Sequence, residues 1–221
     1  MKNSPFPQLL LFVAVAAFFF LVPLKIHGQS QITLETRYPI FLDAFSDIYH
    51  PSLGYSLEYT YFGSVREHRN GMGVGLGYYS FNPMQDGFRY PLEGRLDYAT
   101  VYWSSFTTIM FTINTARYWT LHHNLDFNAG LDLGLYYTAF DVIVEHPVDG
   151  DGAFFVQAFG GIIPKAGFLI RLSNKLSISL QSRLEWIIRP LDIDTDFDFT
   201  GTYGYTTPIL SNAVGICFKF Y

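Results

Sequence analysis

The stretch NAVGICFKFY (residues 212–221) places an apolar side chain at every second position. The apolar series is Val214, Ile216, Phe218 and Phe220, and Lys219 lies in the opposite phase. Successive side chains of a β-strand point to opposite faces, so this alternation predicts a strand with one apolar and one polar face.

Seven earlier segments show the same period of two. They are QITLETRY (31–38), SLGYSLEYTYF (52–62), GMGVGLGYYS (71–80), residues 98–113, LDFNAGLDLGLYYT (125–138), a strand within 154–172, and LSISLQSRLEWII (176–188). In the fourth segment we place Val101 and Trp103 on the same face as Ile109, Phe111 and Ile113. Pro164 in the sixth predicts a bulge or a strand end, because proline cannot donate to a β-ladder.

The connections between these segments alternate in length. Those after the second, fourth and sixth segments are short (63–70, 114–123 and 173–175), and the others are long and net acidic (39–51, 82–97, 139–152 and 190–208). Short turns at one end and long loops at the other are typical of an up-and-down outer-membrane barrel. The sequence therefore predicts an all-β fold, an eight-stranded antiparallel transmembrane β-barrel. Ten strands, with residues 153–172 split in two, is the alternative.

The N-terminus has the order of a secretory signal. Lys2 precedes an apolar run over residues 9–22, and a more polar stretch ends at Gly28. We predict a signal peptide over residues 1–28 and one barrel domain over 29–221. An uncleaved anchor helix over residues 5–24 is the alternative, since that stretch is nearly long enough to cross a bilayer. The single cysteine, Cys217, rules out an intrachain disulfide.

The composition favours a membrane protein without spanning helices. Aromatic residues make up 19% of the chain and charged residues 15%, whereas typical soluble domains are about 25% charged. No apolar run of helix-spanning length follows residue 28. In hydrocarbon every backbone polar group must be paired internally, and a closed barrel achieves this without helices. The basic residues are not clustered as a nucleic-acid surface requires.

The size of the side chains decides which face points outward. A soluble ligand-carrying barrel would put its apolar face inside, and the charged face could then meet water. An eight-stranded interior is only just wide enough for side chains, and the many Tyr, Phe and Trp residues of the apolar face would overfill it. We therefore expect the apolar face to contact lipid and the Gly- and Ser-rich face to line the lumen.

The lumen is then expected to hold acidic and basic side chains in near balance. They are Glu35, Arg37, Glu58, Asp126, Asp132, Arg171, Arg183, Glu185 and Lys219. Charges removed from water persist when they are paired and hydrogen-bonded, so we expect an ion-pair network that plugs the barrel. A narrow gated channel is the alternative.

The chain resembles the small eight-stranded outer-membrane barrels, such as the transmembrane domain of outer-membrane protein A. The resemblance rests on the signal, the eight alternating segments, the alternation of loop lengths and the terminal FKFY. In that family the terminal aromatic residue usually shares the lipid-facing phase, whereas here Phe218 and Phe220 hold it and Tyr221 follows one step later. The resemblance implies a location in the outer membrane of a Gram-negative bacterium, with both termini periplasmic. It further implies contact with lipid and lipopolysaccharide, and recognition of the terminal strand by the outer-membrane insertion machinery.

No motif in the chain predicts a cofactor, and we expect a non-enzymatic scaffold whose acidic extracellular loops contact an envelope protein complex. An alternative is a lipid-modifying enzyme that uses His50 and Ser52, because lipid A deacylases carry a His-x-Ser element. Theirs lies on a later strand and is followed by Asn, where this chain has Leu53.

A metal site is not expected from the histidines. The side chains of the adjacent pair His122 and His123 should diverge on a strand, and a zinc site requires spaced ligands. The alternative metal site is a run of carboxylates in the last long connection, Asp192, Asp194, Asp196 and Asp198, since hard divalent cations prefer oxygen ligands.

Overall fold

The computed structural model describes residues 29–63, 69–85, 87–91, 98–145, 151–188 and 206–220. The predicted signal peptide (1–28), the acidic run at residues 192–198 and Tyr221 lie outside the described residues.

The described chain is built of antiparallel β-strands. In chain order they are β1 (Gln29–Phe41), β2 (Gly54–Phe62), β3 (Arg69–Phe81), β4 (Phe88–Pro91), β5 (Tyr98–Trp103), β6 (Phe106–His122), β7 (Leu125–Glu145), β8 (Asp151–Arg171), β9 (Leu176–Ile188) and β10 (Thr206–Phe220). A short 3-10 helix, Ala44–Asp47, follows β1. Among the described residues, no helix is long and apolar enough to cross a membrane.

Eight of the described strands close into a barrel. Each of β1, β2, β3, β6, β7, β8, β9 and β10 pairs antiparallel with the next, and β10 returns to β1 from Ser30↔Phe220 to Phe41↔Ile209. Closure leaves no barrel edge open to a further strand. The predicted eight-stranded antiparallel barrel is confirmed. Both described chain ends and the short turns lie at one end, here the turn end; the opposite end is the loop end.

The loop end extends beyond the closed part of the barrel. Strands β7 and β8 each have 21 residues and remain paired as far as Val144↔Asp151. The β4–β5 hairpin joins the same sheet through the pairing of β5 with β7. We call this four-stranded extension the ribbon. Because a membrane-spanning strand needs only about 9–11 residues, strands of this length project past the bilayer.

The predicted fourth strand over residues 98–113 is wrong, because a bulge at Ser104 and Ser105 divides it. Trp103 and Thr107 are four positions apart, whereas their partners Val142 and Ala139 are three positions apart. The extra residue reverses the alternation. Val101 and Trp103 are therefore buried before the bulge, whereas the exposed residues after it are on the opposite face.

Four further details of the strands differ from the predictions or their alternatives. Residues 114–123, predicted as a turn, belong mainly to β6, which ends at His122. Pro164 forms neither a bulge nor a strand end: the β8–β9 ladder skips it without a register shift, and its side chain faces outward. Residues 151–171 form one strand, so the ten-strand alternative over this segment is wrong. Much of the predicted loop 139–152 is also strand, because β7 and β8 stabilise each other beyond the closed part of the barrel.

The outer surface carries the apolar phase of the strands. Exposed side chains include Leu34, Tyr55, Val74, Phe111, Ile113, Leu133, Tyr137, Phe168, Trp186, Val214, Ile216, Phe218 and Phe220. Phe218 and Phe220 are 47% and 48% exposed, so the predicted register of the closing strand, β10, is correct. A continuous apolar belt around a closed sheet is the surface that lipid requires.

The loop end of the lumen is apolar, which the sequence did not predict. Phe41, Phe81, Phe106 and Phe159 point into the barrel mouth and are buried. The segment after β1 folds over them, and Phe45 of its 3-10 helix packs on Phe41 with ring centroids 5.5 Å apart. Phe41 and Phe81 are in still closer contact, at 4.4 Å. We call this packing the aromatic cluster.

Candidate functional site in the barrel lumen

The middle of the lumen holds a set of charged side chains that we call the central charge cluster. Strands β1, β2, β7, β8 and β9 supply them from lumen-facing positions, and β3 adds the hydroxyl of Tyr79 to the same layer. None of the charged members is more than 9% exposed. They are Glu35, Arg37, Glu58, Asp132, Lys165, Arg183 and Glu185.

Arg183 is the centre of this cluster. One of its terminal nitrogens lies 2.6 Å from Oε2 of Glu35, and the other donates to Oε1 of Glu58 and lies 3.5 Å from Oδ2 of Asp132. A planar guanidinium with several donors suits this role, because it can bond to carboxylates on different sides at once. Arg183 therefore ties β9 to β1, β2 and β7 across the lumen.

Arg37 connects the same carboxylates to a second set of hydrogen bonds. It donates to Glu58 at 2.8 Å and to the hydroxyl oxygen of Tyr79 at 3.0 Å. Tyr79 in turn donates to Oε1 of Glu185 at 2.6 Å, and Tyr136 donates to Oε2 of Glu185 at 3.0 Å. Two phenolic donors thus satisfy a buried carboxylate whose nearest described cation, Arg37, lies 3.9 Å away.

Lys165 is a member of the cluster that the sequence analysis did not assign. Its Nζ lies 2.9 Å from Oδ1 of Asp132 and 3.6 Å from Oε2 of Glu58. The signal was present, because Lys165 has the lumen phase of β8. Lys165 was left out of the predicted network although Arg171, in the same phase of the same strand, was included. Tyr79 and Tyr136 were not predicted because aromatic residues were expected on the outer face.

Small residues make room for these long side chains. A Cβ atom placed on Gly215 would lie 2.6 Å from Cγ of Glu35, and one on Gly161 would lie 2.6 Å from the ring of Tyr136. Contacts this short are too close for carbon atoms, so any larger residue would displace the Glu35 or Tyr136 side chain. The glycines of the lumen face are therefore part of how the cluster fits into a narrow barrel.

A separate group of charges lies at the turn end, which we call the turn-end cluster. Asp126 accepts hydrogen bonds from Arg69, Arg171 and Thr120, and Arg171 Nε is 3.0 Å from its Oδ2. Lys219 lies in the same part of the lumen. Among the described residues, no ion pair joins this group to the central charge cluster, so the nine predicted lumen charges fall into two layers rather than one network.

The His50 and Ser52 pair lies at the loop end, beside the last residues of β3. The Ser52 hydroxyl donates to the carbonyl oxygen of Ser80, and the His50 backbone N–H donates to that of Asn82 at 2.9 Å. The serine proton is thus directed to the backbone and not to an imidazole. Activation of Ser52 by His50 would require this hydrogen bond to break.

The prediction that the His122 and His123 side chains diverge is wrong. Nδ1 of His123 lies 3.0 Å from Nε2 of His122. The reason is the position of the strand end: β6 ends at His122 and the chain turns at His123, so the alternation of a strand does not apply to this pair.

No protein-family model matches the chain, and a search of curated proteins gives no match. Solved structures do match. Neisserial surface protein A (NspA) has a TM-score of 0.51 at 10% identity and covers 88% of this chain and 100% of its own. The outer membrane protein OprG from Pseudomonas aeruginosa has a TM-score of 0.51 at 14% identity. It covers 88% of this chain and 96% of its own. The fold is that of the small outer-membrane β-barrels.

A third structure extends this likeness to another organism. A major outer membrane protein from Thermus thermophilus has a TM-score of 0.50 at 13% identity and covers 86% of this chain and 99% of its own. The predicted resemblance is therefore confirmed at the level of fold. At such low identity the likeness reaches no further than the fold, so any activity has to follow from the lumen and the surface of this chain.

Proposed function

We propose that this protein is an integral outer-membrane scaffold with a closed lumen, which contacts partner proteins through its acidic loop end. The observation that carries this proposal is a lumen filled with side chains inside an apolar outer belt. Buried charged and aromatic side chains occupy the lumen, and the surface beyond the membrane is the part left for interaction.

Two successive layers support closure of the lumen. Arg37 and Arg183 in the central charge cluster are each 1% exposed, and Tyr79 and Tyr136 just beyond them are 0% exposed. The aromatic cluster then fills the mouth. An eight-stranded barrel leaves no channel unless such side chains move, and the hydrogen bonds of Arg37 and Arg183 to Glu35, Glu58 and Tyr79 oppose that movement.

The ribbon supports a role in contact. Asp141 is exposed at its base, and Ile143 is 50% exposed two residues further along β7. With the turn end in the periplasm, as short turns and long loops favour, the ribbon stands outside the cell. A strand that exposes an acidic side chain and an apolar one, as β7 does at Asp141 and Ile143, is suited to binding another protein.

Site-specific photo-crosslinking in intact cells tests this role. We expect a photoreactive residue at position 143 to give protein adducts of defined mass. The matched control is position 133 on the same outward face of β7: Leu133 is 56% exposed and lies ten residues away, about 33 Å at strand rise. Position 133 should give lipid adducts only.

The absence of any protein adduct from position 143 would contradict the scaffold proposal. The enzymatic alternative would then be tested by mass spectrometry of lipid A from cells with and without the protein. A lipid A difference that Ser52→Ala removes would assign the function to His50 and Ser52 instead.

A further inference from the structure

The lumen opens at the turn end into a polar cavity of about 380 Å³, which we call the vestibule. The charged and polar residues that matter for its chemistry are Arg69, Arg171, Lys219, His123, Gln29 and Asn124. The cavity is far larger than one water molecule needs. It lies outside both the central charge cluster and the aromatic cluster and has no part in closing the lumen.

Among the described residues, the vestibule carries more positive than negative charge. Arg69, Arg171 and Lys219 face one carboxylate, Asp126, among the described residues. Lys219 is only 5% exposed, and no described residue pairs with its ammonium group. A buried ammonium group that no described carboxylate contacts is costly, so this position favours a bound anion.

Asp126 makes no hydrogen bond to Lys219, because its acceptor positions are already used. Its Oδ1 accepts from Thr120 at 2.8 Å and from Arg171, and its Oδ2 accepts from Arg171 at 3.0 Å and from Arg69. Two oxygens with four donors fill the capacity of a carboxylate. The negative charge of Asp126 is therefore committed to the two arginines.

Arg69 lines the vestibule and keeps N–H groups that no described residue accepts. It uses one terminal nitrogen for Asp126, and its guanidinium lies over the rings of Phe62 and Tyr118, with the carbon atom 5.6 and 5.9 Å from the ring centroids. The rings hold the guanidinium in place without using its remaining N–H groups. Arg171 is more fully engaged, since it also donates to the His123 carbonyl oxygen and to Thr120.

We propose that the vestibule is a binding site for a phosphate group, with Lys219 and Arg69 as its ligands and Arg171 adding positive charge. Guanidinium and ammonium donors around a confined cavity are the groups that bind phosphate oxygens in proteins. Free phosphate and the phosphodiester of a lipid headgroup share this chemistry, and a competition experiment distinguishes them.

The direct test is equilibrium dialysis of radiolabelled inorganic phosphate against the full chain, purified in a nonionic detergent at fixed ionic strength. We expect saturable binding of about one phosphate per chain. Lys219→Gln should weaken it by about tenfold or more, since a hydrogen bond from a charged donor is lost. Lys175→Gln, which changes an exposed lysine in the neighbouring turn, should leave it unchanged.

Arg69→Gln is the second variant, should Lys219→Gln fail to fold, and it should weaken binding in the same direction. Competition with dibutyl phosphate, a soluble phosphodiester, separates the two sources: displacement assigns the site to a headgroup-type diester, and no displacement assigns it to free phosphate. Absence of saturable binding, or equal binding by Lys219→Gln and the unaltered chain, would overturn the proposal.

Discussion

Replacing Arg183 with methionine is expected to lower the free energy of unfolding by about 3–5 kcal/mol, the usual cost of removing one partner from a buried ion pair. Methionine fills much of the same volume, so the loss is mainly electrostatic. Glu35, Glu58 and Asp132 would share only Arg37 and Lys165 as counter-charges among the described residues. Urea titration of the barrel in phospholipid vesicles measures the change.

Arg117→Met is the matched control, because Arg117 is an exposed arginine on β6 that contacts only the Trp119 ring among described partners, at 5.6 Å. Its loss should cost about 1 kcal/mol or less. Adding Glu35→Gln to Arg183→Met removes one uncompensated charge and should recover part of the loss. Equal stability of the Arg183→Met and Arg117→Met variants would show that the central charge cluster does not hold the barrel together.

Val214→Arg is expected to destabilise the barrel in lipid by about 2–4 kcal/mol, the cost of an arginine on the lipid face near the middle of the bilayer. Val214 is 59% exposed, lies near the middle of β10, and pairs with Thr36 and Leu180. Unfolding in vesicles again gives the measurement.

Leu172→Arg provides the comparison for depth. Leu172 is 57% exposed, much as Val214 is, but it lies in the turn after β8, where an arginine reaches the headgroups. We expect a cost of about 0–1 kcal/mol. A similar cost at both positions would contradict the assignment of the exposed apolar belt to the membrane interior.

The alternation of side chains predicted the barrel because it recurs along the strands that close it. In β10 every apolar residue in the phase of Val214 and Phe220 faces outward, and in β1 the same holds for Leu34 and Tyr38. Pairing of β1 with β10 then closes the barrel, since the two edge strands of an open sheet would expose unpaired backbone groups to lipid.

The errors arose where a different constraint determined the conformation. The bulge at Ser104 and Ser105 cannot be recognised from the alternation of side chains. An extra residue in a ladder is held by backbone hydrogen bonds to the neighbouring strand, here the bond from Ser104 N to Asp141 O at 2.9 Å. Strands β7 and β8 continue past the membrane because they pair with each other, and such pairing does not require an apolar face.

The lumen was the harder part to predict. Charged residues in the lumen phase were readily identified, but their grouping into two layers depends on their heights along several tilted strands. Phe41 and Phe81 also point into the lumen. They were not expected in the lumen, because the sequence analysis predicted a polar interior. Their presence follows from the fold: at the loop end the lumen is capped by the segment after β1, so apolar side chains there are shielded from both water and lipid.

Conductance of the unaltered protein in planar lipid bilayers tests the closed lumen most directly. With the central charge cluster and the aromatic cluster in place, we predict no current above that of the bare bilayer, while an open porin inserted in the same way gives steady steps. Steady open-channel steps from the unaltered protein that disappear in Arg183→Met would contradict the account, because they would show that Arg183 lines an ion path instead of closing it.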